Sequence, residues 1–270
     1  MKLPDSEKNR LKQKYGQWAI VTGASSGIGL ELATQLAGAG FNLIVVARHL
    51  EKLQAVEHEL TSKFKIEIKV VDADVSQSGG CDKIIQAALG LNVGLLVVSA
   101  GYGTSGVFIE TSLDAETNML KVNCEALLAL SHYYSRQFVR QKRGGIILMS
   151  SLVAFQGVPY SANYAATKAY VQTLAEALAI ELQPHGVDVL AAAPGPIESG
   201  FGERANMKMA MSLKPSQVGV PILKALGRRT TVLPGLLTKI LVYSLRTVPR
   251  WAKVRIMEKI MGGMTQHQRK

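Results

Sequence analysis

Between residues 18 and 193 short apolar runs alternate with longer helical patterns without a break, and few folds accommodate that order. The runs at 18–22, 42–47, 66–72, 94–99, 145–150 and 187–193 read as strands. Helical patterns fill 30–40, 50–64, 83–91, 113–139 and 164–183 between them. Strands joined through helices must cross over right-handedly and lie parallel, with both sheet faces covered. The expected fold class is therefore α/β, a Rossmann-type doubly wound parallel sheet. No internal repeat, low-complexity stretch or linker interrupts it. The sequence predicts one catalytic domain over 17–223, a polar N-terminal segment over 1–16 and a basic, amphipathic helical extension over 224–270.

Composition supports a compact domain, since 270 residues with 47% hydrophobic and 19% charged content can bury a large core. Residues 1–14 are too polar for a secretory signal, and no run of 18 or more apolar residues offers a spanning helix. Two cysteines, Cys81 and Cys124, without CxxC spacing fit a reducing compartment, so a cytoplasmic protein is expected. The five histidines have no ligand spacing, and no metal is expected. The net charge of +11 is uneven: residues 1–223 carry 20 Lys+Arg against 19 Asp+Glu, residues 224–270 carry 11 against 1. A local cationic segment, not a nucleic-acid-binding surface, follows from that split.

In such a sheet ligands bind beyond the carboxyl ends of the strands. The loop after the first strand reads Thr22-Gly23-Ala24-Ser25-Ser26-Gly27-Ile28-Gly29. Its glycines allow a tight turn and let backbone N–H groups approach a phosphate at the positive end of the next helix. A literal GxGxxG at Gly101–Gly106 follows the fourth strand with no helix directly behind it, and is read as a border of the same cleft. At the end of the second strand a dinucleotide site for NAD(H) calls for an acid, but Ala47-Arg48 stands there. Arginine attracts a 2′-phosphate, so Arg48 points to NADP(H). Asp74 and Val75, after the third strand, are placed to edge the adenine.

Tyr164 and Lys168 lie four residues apart at the start of a helical pattern and so share a face. An ammonium beside a phenol pulls the phenol down from about 10, which makes proton transfer accessible. In isolation the pair is equally consistent with a packed tyrosine and a solvated lysine.

Taken together, the TGxxxGxG loop, Asp74-Val75, Asn123 in the long helical pattern, and Ser151 thirteen residues before Tyr164 with Lys168 behind it resemble the short-chain dehydrogenase/reductase family over residues 18–199. The resemblance implies Tyr164 as the proton donor to a carbonyl oxygen. It also implies Lys168 as holder of the nicotinamide ribose, Ser151 as carbonyl anchor, and Asn123 as support for a proton-relay water; Ser150 is the alternative for the serine role. It implies that Pro194-Gly195-Pro196-Ile197-Glu198-Ser199 clamps the nicotinamide, with Ser199 in place of the family's threonine. Ala100 and Gly101 border the cofactor, while Val98-Ser99 replaces the family's Asn-Asn and is expected to weaken a bracing hydrogen bond. A finer likeness, carried by residues 15–19, 63–65 and 248–251, is to the 3-oxoacyl-CoA reductase and 17-beta-hydroxysteroid dehydrogenase branch, whose members reduce lipophilic ketones. The implied activity is NADP(H)-dependent reduction of a small hydrophobic carbonyl compound by a homodimer or homotetramer. The alternative is a non-catalytic NADP(H)-binding regulatory or scaffold protein.

Residues 201–213, with Met207, Met209 and Met211, read as a mobile lid for apolar substrates or as ordinary packing methionines. Residues 233–264 carry apolar residues at helical spacing among lysines and arginines. That segment can lie on a membrane surface, pack between subunits or cover the substrate mouth.

Overall fold

The computed structural model describes residues 2–209 and 212–268. Helix α1 (Asp5–Tyr15) precedes β1 (Trp18–Thr22), α2 (Gly27–Gly38), β2 (Asn42–Ala47), α3 (Leu50–Lys63), β3 (Ile68–Asp72), α4 (Gly80–Ala87) and β4 (Val93–Val98). Helices α5 (Leu113–Leu120) and α6 (Ala126–Gln141) then lead to β5 (Gly144–Met149), α7 (Ala162–Leu182) and β6 (Val187–Ala192). Helices α8 (Phe201–Arg204) and α9 (Pro215–Ala225), strand β7 (Thr231–Val232) and helices α10 (Leu236–Ser244) and α11 (Arg250–Met264) complete the chain.

The strands pair in parallel in the order β3-β2-β1-β4-β5-β6-β7. Alternate residues along each strand enter opposite cores. Ala19, Val21, Leu43, Val45, Leu95 and Val97 pack with α1, α2 and α9 on one face. Ile20, Ile44, Val46, Leu96 and Val98 pack with α6 and α7 on the other. The chain runs outward from β1 to β3 and then returns to lay β4 on the opposite side of β1. That reversal opens a crevice at the carboxyl ends of β1 and β4, the place such sheets offer a ligand.

Three features differ from the sequence reading. The polar N-terminus is helical: α1 buries Leu11 and Tyr15 against the sheet, with Leu3 just ahead of it. Its Arg10 guanidinium donates to the carbonyl oxygens of Leu223 and Leu226 at the end of α9, capping acceptors that the helix leaves free. Second, the pattern at 113–139 is not one α-helix, because a π-turn at Lys121–Glu125 separates α5 from α6. The wider turn turns Asn123 inward, where it is 1% exposed. Third, β7 adds a seventh parallel strand at the sheet edge, and the boundary expected at 223/224 falls inside α9.

Candidate active site

The crevice is a cavity of about 450 Å³. Gly23, Ser25, Ser26, Gly27, Ile28 and Gly29 form its floor at one end, where the loop enters α2. Ser26 caps that helix without a side-chain hydrogen bond, so the first N–H groups of α2 remain available to an anion. Gly27 is in the left-handed region at φ 59°, and a Cβ there would stand 2.7 Å from the Ser199 Cβ across the cleft. Ser199 can approach the loop this closely only because Gly27 has no side chain. The Thr22 hydroxyl accepts from the Ser99 and Ala100 N–H groups, both at 3.1 Å. It braces the ends of β1 and β4 beside the Val98-Ser99 pair.

Arg48 stands at the end of β2 with His49 and Lys52 beside it on the cavity wall. The sequence reading missed His49 and Lys52; the i, i+4 spacing of Arg48 and Lys52 at the start of α3 was the available signal. Asp74 and Val75 line the same end, and Asp74 accepts from both the N–H and the hydroxyl of Ser76. Ala100, Gly101, Pro194, Gly195, Ile197 and Ser199 line the middle of the cleft. A dinucleotide phosphate therefore meets free N–H groups and cations and no acid at the Arg48 position, and NADP(H) fits this donor set.

Ser151, Tyr164 and Lys168 converge deeper in the cleft. Ser151 follows β5 and its hydroxyl accepts from the Val153 N–H at 3.4 Å, facing the cleft with Tyr164, whereas Ser150 turns away to donate to the Lys168 carbonyl at 3.1 Å. Asn123 does not line the cavity. Its amide donates to the Tyr102 carbonyl at 2.8 Å and to Thr167 Oγ1 at 3.0 Å, and its oxygen accepts from Tyr102 N–H. It thus ties the loop after β4 to α7, one turn from Tyr164. Lys168 Nζ donates to the Met149 carbonyl at 2.8 Å and lies 5.7 Å from the Tyr164 ring centre.

The electrostatics correct one expectation. Tyr164 is not pulled down by Lys168: burial raises its pKa to about 12, with the Ser151 hydrogen bond acting in the opposite direction. Burial lowers Lys168 to about 8. Removing both groups from water penalises their charged forms, and the lysine is committed to a carbonyl rather than to the phenol oxygen.

The outer end of the cleft is apolar. Leu152, Val153, Phe201, Met207 and Met209 approach from one side, and Leu241, Leu245, Met257, Met261 and Met264 from α10 and α11 cover the other. The Phe201 and Tyr164 ring centres are 5.2 Å apart. The segment expected as a lid is pinned at its base, where Leu213 exchanges hydrogen bonds with Pro196 and Glu198; Met211 lies outside the described residues. The tail places part of its apolar residues against the cleft, and those residues do not form one stripe. Leu233 is buried beside β7, and the remainder divide between the cleft and the outer surface.

Residues 17–210 match the model of the short chain dehydrogenase family. The chain is 30% identical over 238 residues to a 7beta-hydroxysteroid dehydrogenase of Collinsella aerofaciens, covering 83% of this chain and 88% of that enzyme. It is 38% identical over 181 residues to a very-long-chain 3-oxoacyl-CoA reductase of Podospora anserina, covering 65% of this chain and 53% of that one. A short-chain dehydrogenase from Sphingobium yanoikuyae, solved in complex with NADPH, superposes with a TM-score of 0.79 at 25% identity over 90% of this chain and 95% of its own.

Proposed function

The chain belongs to the short chain dehydrogenase family, and on that premise we propose that it is an NADPH-dependent reductase of bulky hydrophobic ketones or aldehydes, reversible in principle, with Tyr164 as its general acid. It is an oxidoreductase acting on CH–OH and C=O groups, and it uses NADP(H). The observation that carries the finer reading is the meeting of Ser151, Tyr164 and Lys168 beneath an apolar roof.

The glycine loop, Ser25, Ser26, Arg48 and Lys52 would hold the phosphates, and Lys168, Ile197 and Ser199 the nicotinamide end. Bound there, the cofactor supplies the hydride that reaches the carbonyl carbon. Ser151, which lines the cleft beside Tyr164, orients the carbonyl oxygen toward the Tyr164 hydroxyl. Tyr164, protonated across the neutral range, gives its proton to that oxygen as negative charge develops there. Lys168, fixed by the Met149 carbonyl against the tyrosine ring, presents its ammonium to the nicotinamide end of the cleft rather than to the phenol oxygen. Asn123 holds the Tyr102 loop and Thr167 in register with this group.

Phe201, Met207, Met209 and the roof from α10 and α11 supply deformable apolar walls suited to a bulky substrate. A panel of ketones tests that assignment: aryl or polycyclic ketones are expected to exceed small polar ones in kcat/KM, and the reverse order would refute it. The reading includes a homodimer or homotetramer formed through exposed apolar residues near the long helices, among them Leu128, Tyr170 and Ile180. It also includes a cytoplasmic location with peripheral membrane contact through the cationic tail.

A further inference from the structure

Helices α10 and α11 have two apolar faces, and only one of them is used by the cleft. On α10, Leu241 and Leu245 point into the cavity, whereas Leu236, Ile240 and Tyr243, at i, i+4 and i+7, are 74%, 54% and 58% exposed. On α11, Met257, Met261 and Met264 line the cavity, whereas Trp251 is 74% exposed and shares its outer face with Arg255 and Lys259. Lys239 and Arg246 flank the exposed row on α10. Seven of the sixteen large hydrophobic side chains that stand exposed among the described residues fall in this short tail. Residues 236–264 carry six basic residues and one acid, Glu258, which already pairs with Arg255.

An outer face that mixes an exposed tryptophan and aliphatics with an excess of cations over acids is complementary to a surface that is anionic outside and apolar within. Neither helix meets the length and hydropathy needed to cross a membrane, so the face would lie on it. The loop after β4 meets the chain's end where the Gln268 amide donates to Ser105 Oγ at 2.9 Å, and just beyond that loop Phe108 and Ile109 are 63% and 89% exposed.

We propose that the outer face of α10 and α11 docks the enzyme on an anionic bilayer, with the substrate mouth at the lipid surface, so that a hydrophobic carbonyl compound passes from the membrane into the cleft beneath these helices. The delivery step rests on the reductase activity proposed above; the docking makes specific the membrane contact included in that reading and does not depend on turnover.

The test uses the full chain and the variant Ile240→Ser/Trp251→Ser, which alters two outward-facing positions that do not line the cleft. Cosedimentation is measured with mixed phosphatidylcholine and phosphatidylglycerol vesicles, with pure phosphatidylcholine vesicles, and at low and high salt. The parent is expected to sediment with the anionic vesicles at low salt and to dissociate as salt rises. The variant is expected to bind at least about tenfold more weakly, since two large apolar side chains lose their burial. It should keep the parent's rate on a water-soluble ketone and lose rate on a ketone dissolved in the vesicles. A parent that stays in the supernatant at low salt, or a variant that binds as the parent does, would overturn the docking. A variant that loses only a larger oligomer would assign the face to a second copy and defeat the proposal. Vesicle binding intact in a parent inactive on every ketone would refute the reductase reading and leave the docking standing.

Discussion

Lys168 donates from Nζ to the Met149 carbonyl oxygen at 2.8 Å, which anchors the buried ammonium at the end of β5 and 5.7 Å from the centre of the Tyr164 ring. Two expectations for pH dependence follow from this arrangement. Burial holds Tyr164 up at about 12, so the proton donor stays loaded through the neutral range. Burial brings Lys168 down to about 8, so the ammonium that would hold the nicotinamide end of the cofactor is present below that pH and lost above it. The kcat/KM for ketone reduction is therefore expected to fall as pH rises through about 8. Lys168→Arg, whose charge does not titrate in this range, should remove that limb even where it slows the reaction. An unchanged limb in the variant would assign the titration to another group.

Gly103 lies against the proton donor. A Cβ at this position would stand 2.7 Å from the Phe201 ring and 3.1 Å from Tyr164 Cδ2. Gly103→Ala is expected to displace both rings and lower kcat by about 10- to 100-fold, because small shifts of a catalytic group are costly. The NADPH dissociation constant, read by fluorescence titration, should change little.

Arg48 is exposed at the end of β2, with no acid at that position to oppose a 2′-phosphate. Arg48→Ala removes a charge-assisted contact from a solvated site and is expected to weaken NADPH binding by about tenfold. NADH binding should be nearly unchanged. Equal losses for the two cofactors, measured by calorimetry, would remove Arg48 from the discrimination.

Helix α1 is integral to one core. Leu11 is fully buried among residues of α2, α9 and the sheet. Leu11→Ala is expected to cost about 2–5 kcal/mol in urea unfolding. A loss below about 0.5 kcal/mol would mean that α1 packs only superficially.

These cases show what the chain made legible. The central sheet was readable because strands buried on both faces are almost wholly apolar, as β1, β4 and β5 are, while the edge strand β3 keeps Lys69 and Asp72. The glycine loop, Arg48 and the Ser151, Tyr164 and Lys168 group were readable because their chemistry depends on fixed local spacing. Helix α1 was not, because a helix needs few apolar residues when Leu3, Leu11 and Tyr15 do the burying and Arg10 works through α9. The π-turn at Asn123 was hidden for another reason: one extra residue in a turn is set by the tertiary bonds to Tyr102 and Thr167. Burial likewise decided the sign of the Tyr164 shift, and neighbouring sequence does not report burial. In the tail, helical spacing was visible, but the division between cleft-facing Met257 and outward-facing Trp251 required the packed structure.

The most direct test of the account compares the parent with Tyr164→Phe by steady-state NADPH oxidation on a hydrophobic ketone, alongside NADPH binding in the same preparations. The ring stays and the proton goes, so the turnover rate is expected to fall by about 10²- to 10⁴-fold while the cofactor binds as before. A Tyr164→Phe enzyme that reduces the ketone at the parent's rate would contradict the assignment of Tyr164 as the acid.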